Sequence, residues 1–155
     1  MNKDASERLS IIVYDHHFDK VHYALVIASA SAAIGRPTTL FFTMGACEIL
    51  QDNSGKDTPA WHKMPLSDRV ETGQFLDHFY ARNGIGTVEE LIDACNKFDV
   101  RFMVSEMGLR AKGLQHTNLR NDLNIELGGI VTFLKDASKN GMTIFIWTQR
   151  EWGMI

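Results

Sequence analysis

Five short apolar runs constrain this chain more than anything else in it: LSIIVYD (9–15), TTLFFT (38–43), VRFMV (100–104), GGIV (128–131) and MTIFIWT (142–148). Each is too short for a core helix. Each is rich in β-branched or aromatic residues without a polar alternate, the pattern of strands buried on both faces. The segments between them read as helices. Residues 19–35 start at Asp19, a first-turn acid, and stop at Gly35. Thr87 and Glu90 make a capping box for a helix over 87–98, with Val88, Leu91, Ile92, Cys95 and Phe98 on one face. Shorter helical pieces are expected over 45–50, 74–83 and 132–141, and 113–127 reads as a polar helical connection. Strand then helix, five times over, predicts a single-domain α/β fold. Its five-stranded sheet is mainly parallel, with helices on both faces. One domain is expected over 1–155, with 1–8 a loose N-terminal tail.

The segment 51–73 breaks this rhythm. It is long, rich in Gly, Pro, Asn, Asp and Ser, and aperiodic, as functional or mobile loops are. Trp61 and Met64 within it are too apolar to stay in solvent and are expected to pack down.

Charge and cysteine usage narrow the function. The net charge is −3, which argues against general nucleic-acid binding. Two cysteines, with no CxxC spacing, suit reduced thiols in a cytoplasmic protein rather than a disulfide framework. The polar start MNKDASERLS does not resemble a signal peptide, and YALVIASASAAI is too short to span a bilayer. The same stretch is apolar or small nearly all round, so its helix is expected either deep in the core or at a homo-oligomer interface.

In parallel α/β sheets, sites form beyond the carboxyl ends of the strands. That edge collects Asp15, His16 and His17 after strand 1, then Thr43, Met44, Gly45 and Cys47 after strand 2. Ser105, Glu106 and Met107 follow strand 3, and Thr132 follows strand 4. The long loop can add Trp61 and His62. Asp15, His16, His17, Thr43, Trp61, His62, Glu106 and Met107 are therefore candidate ligand-binding residues. A metal site would need several ligands to converge, such as His16, His22, Cys47 and His62. No ligand spacing supports one, and neither metal nor cofactor is expected. No glycine-rich loop follows strand 1, so phosphate binding is not expected. A Ser–His–Asp triad can be drawn from Ser105, His16 or His62, and Asp15, but VSEMG lacks the glycine-framed elbow of such hydrolases. Of the two thiols, Cys95 lies on the core stripe of its helix. Cys47 falls at the start of a predicted helix, where the helix end favours a thiolate. It is the cysteine with a physical reason to react.

The ordered set LSIIVYD, DKVHYALVIASASAAIG, TLFFTMGACEIL, WHKMPL, EELIDACNKFDVRFMVSEMGLRAKGL and GGIVTFLKDASKNGMTIFI resembles the DsrE/DsrF-like proteins, in particular their peroxiredoxin-annotated branch. That resemblance implies a flavodoxin-like fold, homo-oligomers, and sulfur carried as a persulfide to a relay partner. It also implies that the sulfur-carrying cysteine follows strand 3, where this chain has Ser105. A serine cannot form a persulfide. Two outcomes fit: Cys47 has become the persulfide acceptor of a sulfurtransferase, or the chain is a catalytically inactive module that binds a small ligand or protein partner at the strand ends.

Overall fold

The computed structural model describes residues 7–52, 58–137 and 141–148. Among these residues five strands form one sheet: β1 (Leu9–Val13), β2 (Thr38–Phe42), β3 (Arg101–Ser105), β4 (Ile125–Gly128) and β5 (Met142–Ile146). Their order is β4-β3-β2-β1-β5 and every pairing is parallel. Five α-helices accompany it: α1 (Phe18–Ala33), α2 (Gly73–Arg82), α3 (Val88–Lys97), α4 (Glu106–Ala111) and α5 (Ile130–Asp136).

The strand order decides where the helices lie. The connections β1 to β2, β2 to β3 and β3 to β4 all step the same way across the sheet. Right-handed crossovers therefore place α1 to α4 on one face. The connection from β4 back to β5 runs the other way and places α5 on the opposite face. The packing agrees. Ile11, Val13, Leu40, Phe42, Phe102 and Val104 point into a core with Leu25 of α1, Leu76 of α2, Ile92 of α3 and Leu109 of α4. The alternate residues Phe41 and Met103 pack with Phe133 of α5, and Ile12 leans on them. Helices do occupy both faces, as expected, but very unequally.

Local expectations fare differently. The Thr87–Glu90 capping box is present, and Gly35 ends α1 at φ +88°, a conformation that glycine adopts without strain. Trp61 and Met64 pack down as expected, Trp61 stacking on Phe18 at 5.5 Å between ring centroids. Phe98, by contrast, is exposed. Strand 4 lies three residues earlier than expected, at Ile125–Gly128 rather than 128–131, and Ile130 and Val131 open α5. The preceding connection is largely irregular, with only a single 3₁₀ turn at His116–Asn118. Glu126 made this strand look like loop. Its carboxylate is held by the Arg101 guanidinium of β3, at 2.6 to 2.9 Å, and the same guanidinium pairs with Asp136 of α5. Arg8 is not part of a loose tail: it donates to Thr39 Oγ1 at 3.1 Å, and its carbonyl accepts the Met142 N–H.

The candidate site at the strand ends

The reversal of direction between β3 and β4 splits the connections after them to opposite faces. A crevice at such a point is the usual ligand position in open α/β sheets. Here it is a cavity of about 550 Å³, a size common among small-molecule pockets. Its walls are Ile12, Tyr14, Phe41 and Phe145 from the sheet, and Gly129, Ile130 and Val131 from the start of α5. Thr43, Met44, Ser105 and Met107 complete it from the turns after β2 and β3. Among the described residues no charged one lines it.

Close backbone approach shapes its floor. A Cβ on Gly108 would lie 2.5 Å from the Met44 backbone nitrogen, so only glycine lets α4 seat against the turn after β2. Met44 itself sits at φ +51°, a costly conformation for a residue with a side chain, next to the cavity. Ser105 ends β3 and caps α4: its Oγ accepts the Gly108 N–H at 3.0 Å. Ser105 is 3 % exposed, and among the described residues no histidine or carboxylate hydrogen-bonds its hydroxyl. The drawn triad is therefore not assembled.

The predicted site residues divide. Thr43, Ser105 and Met107 line the cavity. Glu106 is exposed in the first turn of α4 and does not. Trp61 and His62 lie away from it. The Trp61 indole N–H donates to Glu89 at 3.1 Å, and its ring meets that of His62 edge-on. Asp15, His16 and His17 form the turn after β1, beside the cavity but outside its lining. Asp15 accepts the His17 N–H at 2.7 Å and lies 2.5 Å from His17 Nδ1. Burial pushes its carboxyl pKa up, but hydrogen bonds from Thr148 and His17 outweigh that and hold it below the usual carboxylate range.

Cys47 departs from expectation. The turn Met44–Leu50 is a 3₁₀ helix rather than the opening of an α-helix, and Cys47 is its fourth residue. It is fully buried, and burial pushes the thiol up to about 12, against which Lys112 does little. The open approach that the sequence position suggested is absent, and burial disfavours the thiolate. Cys95 is equally buried, also pushed up to about 12, and its thiol reaches the Leu25 carbonyl at 3.8 Å. Sequence reasoning missed the α5 wall of the cavity. The apolar pair Ile130 and Val131 was its signal, read instead as the end of a strand.

A model of the DsrE/DsrF/DrsH-like family matches residues 5–145. The chain belongs to that family. Within the family's reach, it is 24% identical over 160 residues to the uncharacterized protein YrkE of Bacillus subtilis (strain 168), covering 92% of this chain and 99% of YrkE. A solved structure, the protein of unknown function MTH1491 from Methanobacterium thermoautotrophicum, superposes with a TM-score of 0.56 at 11% identity. It covers 90% of this chain and 98% of MTH1491, and at that identity the likeness is one of fold. The DsrE-like architecture and its parallel five-stranded sheet thus stand on sequence and structure together. Among the described residues no helix is long and apolar enough to cross a membrane.

Proposed function

We propose that this DsrE-like chain is a binding module that holds a small, uncharged, largely apolar molecule above Ser105, and that it does not carry sulfur. One observation supports this reading above others: the position that the family resemblance gives to the sulfur-carrying cysteine is a buried serine on the floor of an uncharged 550 Å³ cavity. A charged ligand there would lose its hydration without a partner. An apolar one gains by leaving water. Ser105 still has its hydroxyl proton to donate, and Thr43 offers a second hydroxyl. A ligand with one carbonyl or hydroxyl head suits that pair. Sulfur relay through Cys47 needs a thiolate that burial opposes.

The test uses two measurements on the purified chain. The first is titration with 1-octanol, followed by methyl NMR shifts of Ile130 and Val131. A Cβ at Gly129 meets nothing within 4 Å, so Gly129→Phe fills the cavity without a backbone clash and should abolish those shifts. Unchanged shifts in that variant would refute binding here. The second is intact-mass analysis after incubation with a persulfide donor. We expect no labile sulfur on the wild type; a gain that Cys47→Ser alone loses would restore the sulfurtransferase reading.

We also propose that the chain assembles with copies of itself through the exposed apolar residues of α5, at the mouth of the cavity. The apolar helix α1 does not support that role, because Val21, Leu25 and Ala28 are satisfied inside the protomer. Ile130, Val131 and Leu134 are each more than half exposed and support it better.

A further inference from the structure

We infer that the turn after β1 is a transition-metal site made by Asp15, His16 and His17. One ligand atom from each can be chosen so that all three lie within 4.8 Å of one another. Metal–nitrogen and metal–oxygen bonds of about 2.0–2.2 Å place neighbouring ligand atoms roughly 3–4 Å apart, so little closure is needed. The site is also braced. Asp15 is buried and fixed by the His17 backbone N–H at 2.7 Å. The His16 and His17 rings lie side by side, 4.2 Å between centroids. Gly45 presses on His16 so closely that a Cβ there would fall 2.3 Å from His16 Cβ, locking the turn after β2 against this one.

The donor set chooses the ion. Two imidazoles and one carboxylate suit Zn²⁺, Co²⁺, Ni²⁺ or Fe²⁺; Ca²⁺ and Mg²⁺ prefer all-oxygen shells. His17 Nδ1 and Asp15 Oδ1 already lie 2.5 Å apart, so both atoms face the same point. Ligation through Nδ1 needs the ring proton on Nε2, and the two atoms part slightly to coordinate the ion. Thr148 Oγ1, 3.2 Å from His17 Nδ1, turns away from that nitrogen when it ligates. His16 is exposed, which gives an ion its way in and leaves at least one coordination position for solvent or a ligand atom. The site borders the cavity, since Tyr14 and Met44, each one residue away from His16's turn or its Gly45 brace, are both cavity walls. The inference does not depend on what the cavity binds.

The experiment is calorimetric titration of the full chain, stripped with chelator and dialysed, with Zn²⁺, Co²⁺ and Ca²⁺, alongside the visible spectrum of the Co²⁺ form. We expect one Zn²⁺ or Co²⁺ per chain, no Ca²⁺, and ligand-field bands from histidine-bound cobalt. His16→Gln, at an exposed position that leaves the fold intact, should weaken binding at least tenfold, as should His17→Gln. His116→Gln, at another exposed histidine, should not. Failure of both Zn²⁺ and Co²⁺ to bind at 100 µM would overturn the inference. So would binding that His16→Gln leaves unchanged, which would mark adventitious histidine contacts elsewhere on the surface.

Discussion

The two faces of the sheet are built from alternate residues of the same five strands, yet they do different work. On one face, Ile11, Leu40, Phe42, Phe102 and Val104 are closed under α1, α3 and the segments around them, all but fully buried. On the other, a single short helix covers Phe41 and Met103, while Phe145 and Tyr14 stay about half exposed. Composition does not make this difference, because both sets are apolar. Topology makes it: three crossovers run one way and one runs back. Stability is concentrated on the crowded face. The sparse face is left with a cavity, an apolar helix and the strand ends, and functional positions gather there.

The sharpest way to break this contrast is to truncate one phenylalanine on each face. Phe42→Ala removes a ring with no exposure and should cost about 3–5 kcal/mol in urea unfolding. Phe145→Ala, at 49 % exposure, should cost about 1 kcal/mol in dilute protein. Equal losses would mean that the second face is covered in solution. Next in size is Gly108→Ala. Its methyl would press on Met44 backbone rather than on a flexible side chain, so the turn after β2 must move. We expect a loss of roughly 1–3 kcal/mol and, with it, altered octanol shifts, because Met44 and Thr43 line the cavity. A neutral Gly108→Ala would show that the cavity floor is not set by this contact.

A smaller effect, confined to the crowded face, should appear with pH. His22 is buried in α1, its Nε2 2.8 Å from the Gly86 carbonyl, with its ring against Tyr80. Burial lowers its pKa from the ordinary 6.5, more than the Gly86 bond and Asp77 raise it. Above 6.5 both folded and unfolded His22 are neutral and the native contact is intact. As pH falls through 6.5 the unfolded chain takes up a proton that the folded one resists, so stability declines. Burial raises the Asp77 pKa and acts in the opposite sense, with a window that begins at the carboxylate's ordinary 3.8. Urea midpoints from pH 7.5 to 5 should therefore slope downward in the wild type and flatten in His22→Gln. A slope unchanged by that variant would assign the dependence to another group.

How much of this was readable beforehand follows from which forces act locally. The strands of the centre, the Thr87–Glu90 box and the Gly35 stop depend on neighbours in sequence, and their signals lie in the sequence itself. The placement of β4 does not. Glu126 sits in a strand with its carboxylate held by Arg101, 25 residues earlier on the neighbouring strand. Cys47 shows the same limit: a helix start implied a thiolate, but the side chains that bury it come from distant segments. At the site, Thr43, Ser105 and Met107 were legible because the rule of strand ends needs only the element order. The α5 wall was not, since it follows from the direction of one crossover.

The mildest substitution separates the two faces most cleanly. Leu134 projects from α5 at 61 % exposure, with no role in the packed core. Leu134→Glu should therefore change the unfolding free energy by no more than about 0.5 kcal/mol, as exposed changes usually do. Its effect should be on assembly. A charge at the centre of an apolar contact is left without water or partner, so sedimentation should shift from oligomer toward monomer at micromolar concentration. Two results would count against assembly through α5: a wild type that is already monomeric, or an oligomer that Leu134→Glu does not disturb. Large destabilisation by Leu134→Glu would carry a further meaning. It would show that the sparse face is not sparse at all in solution, and that a second copy supplies there the cover that α1 and α3 supply on the other side.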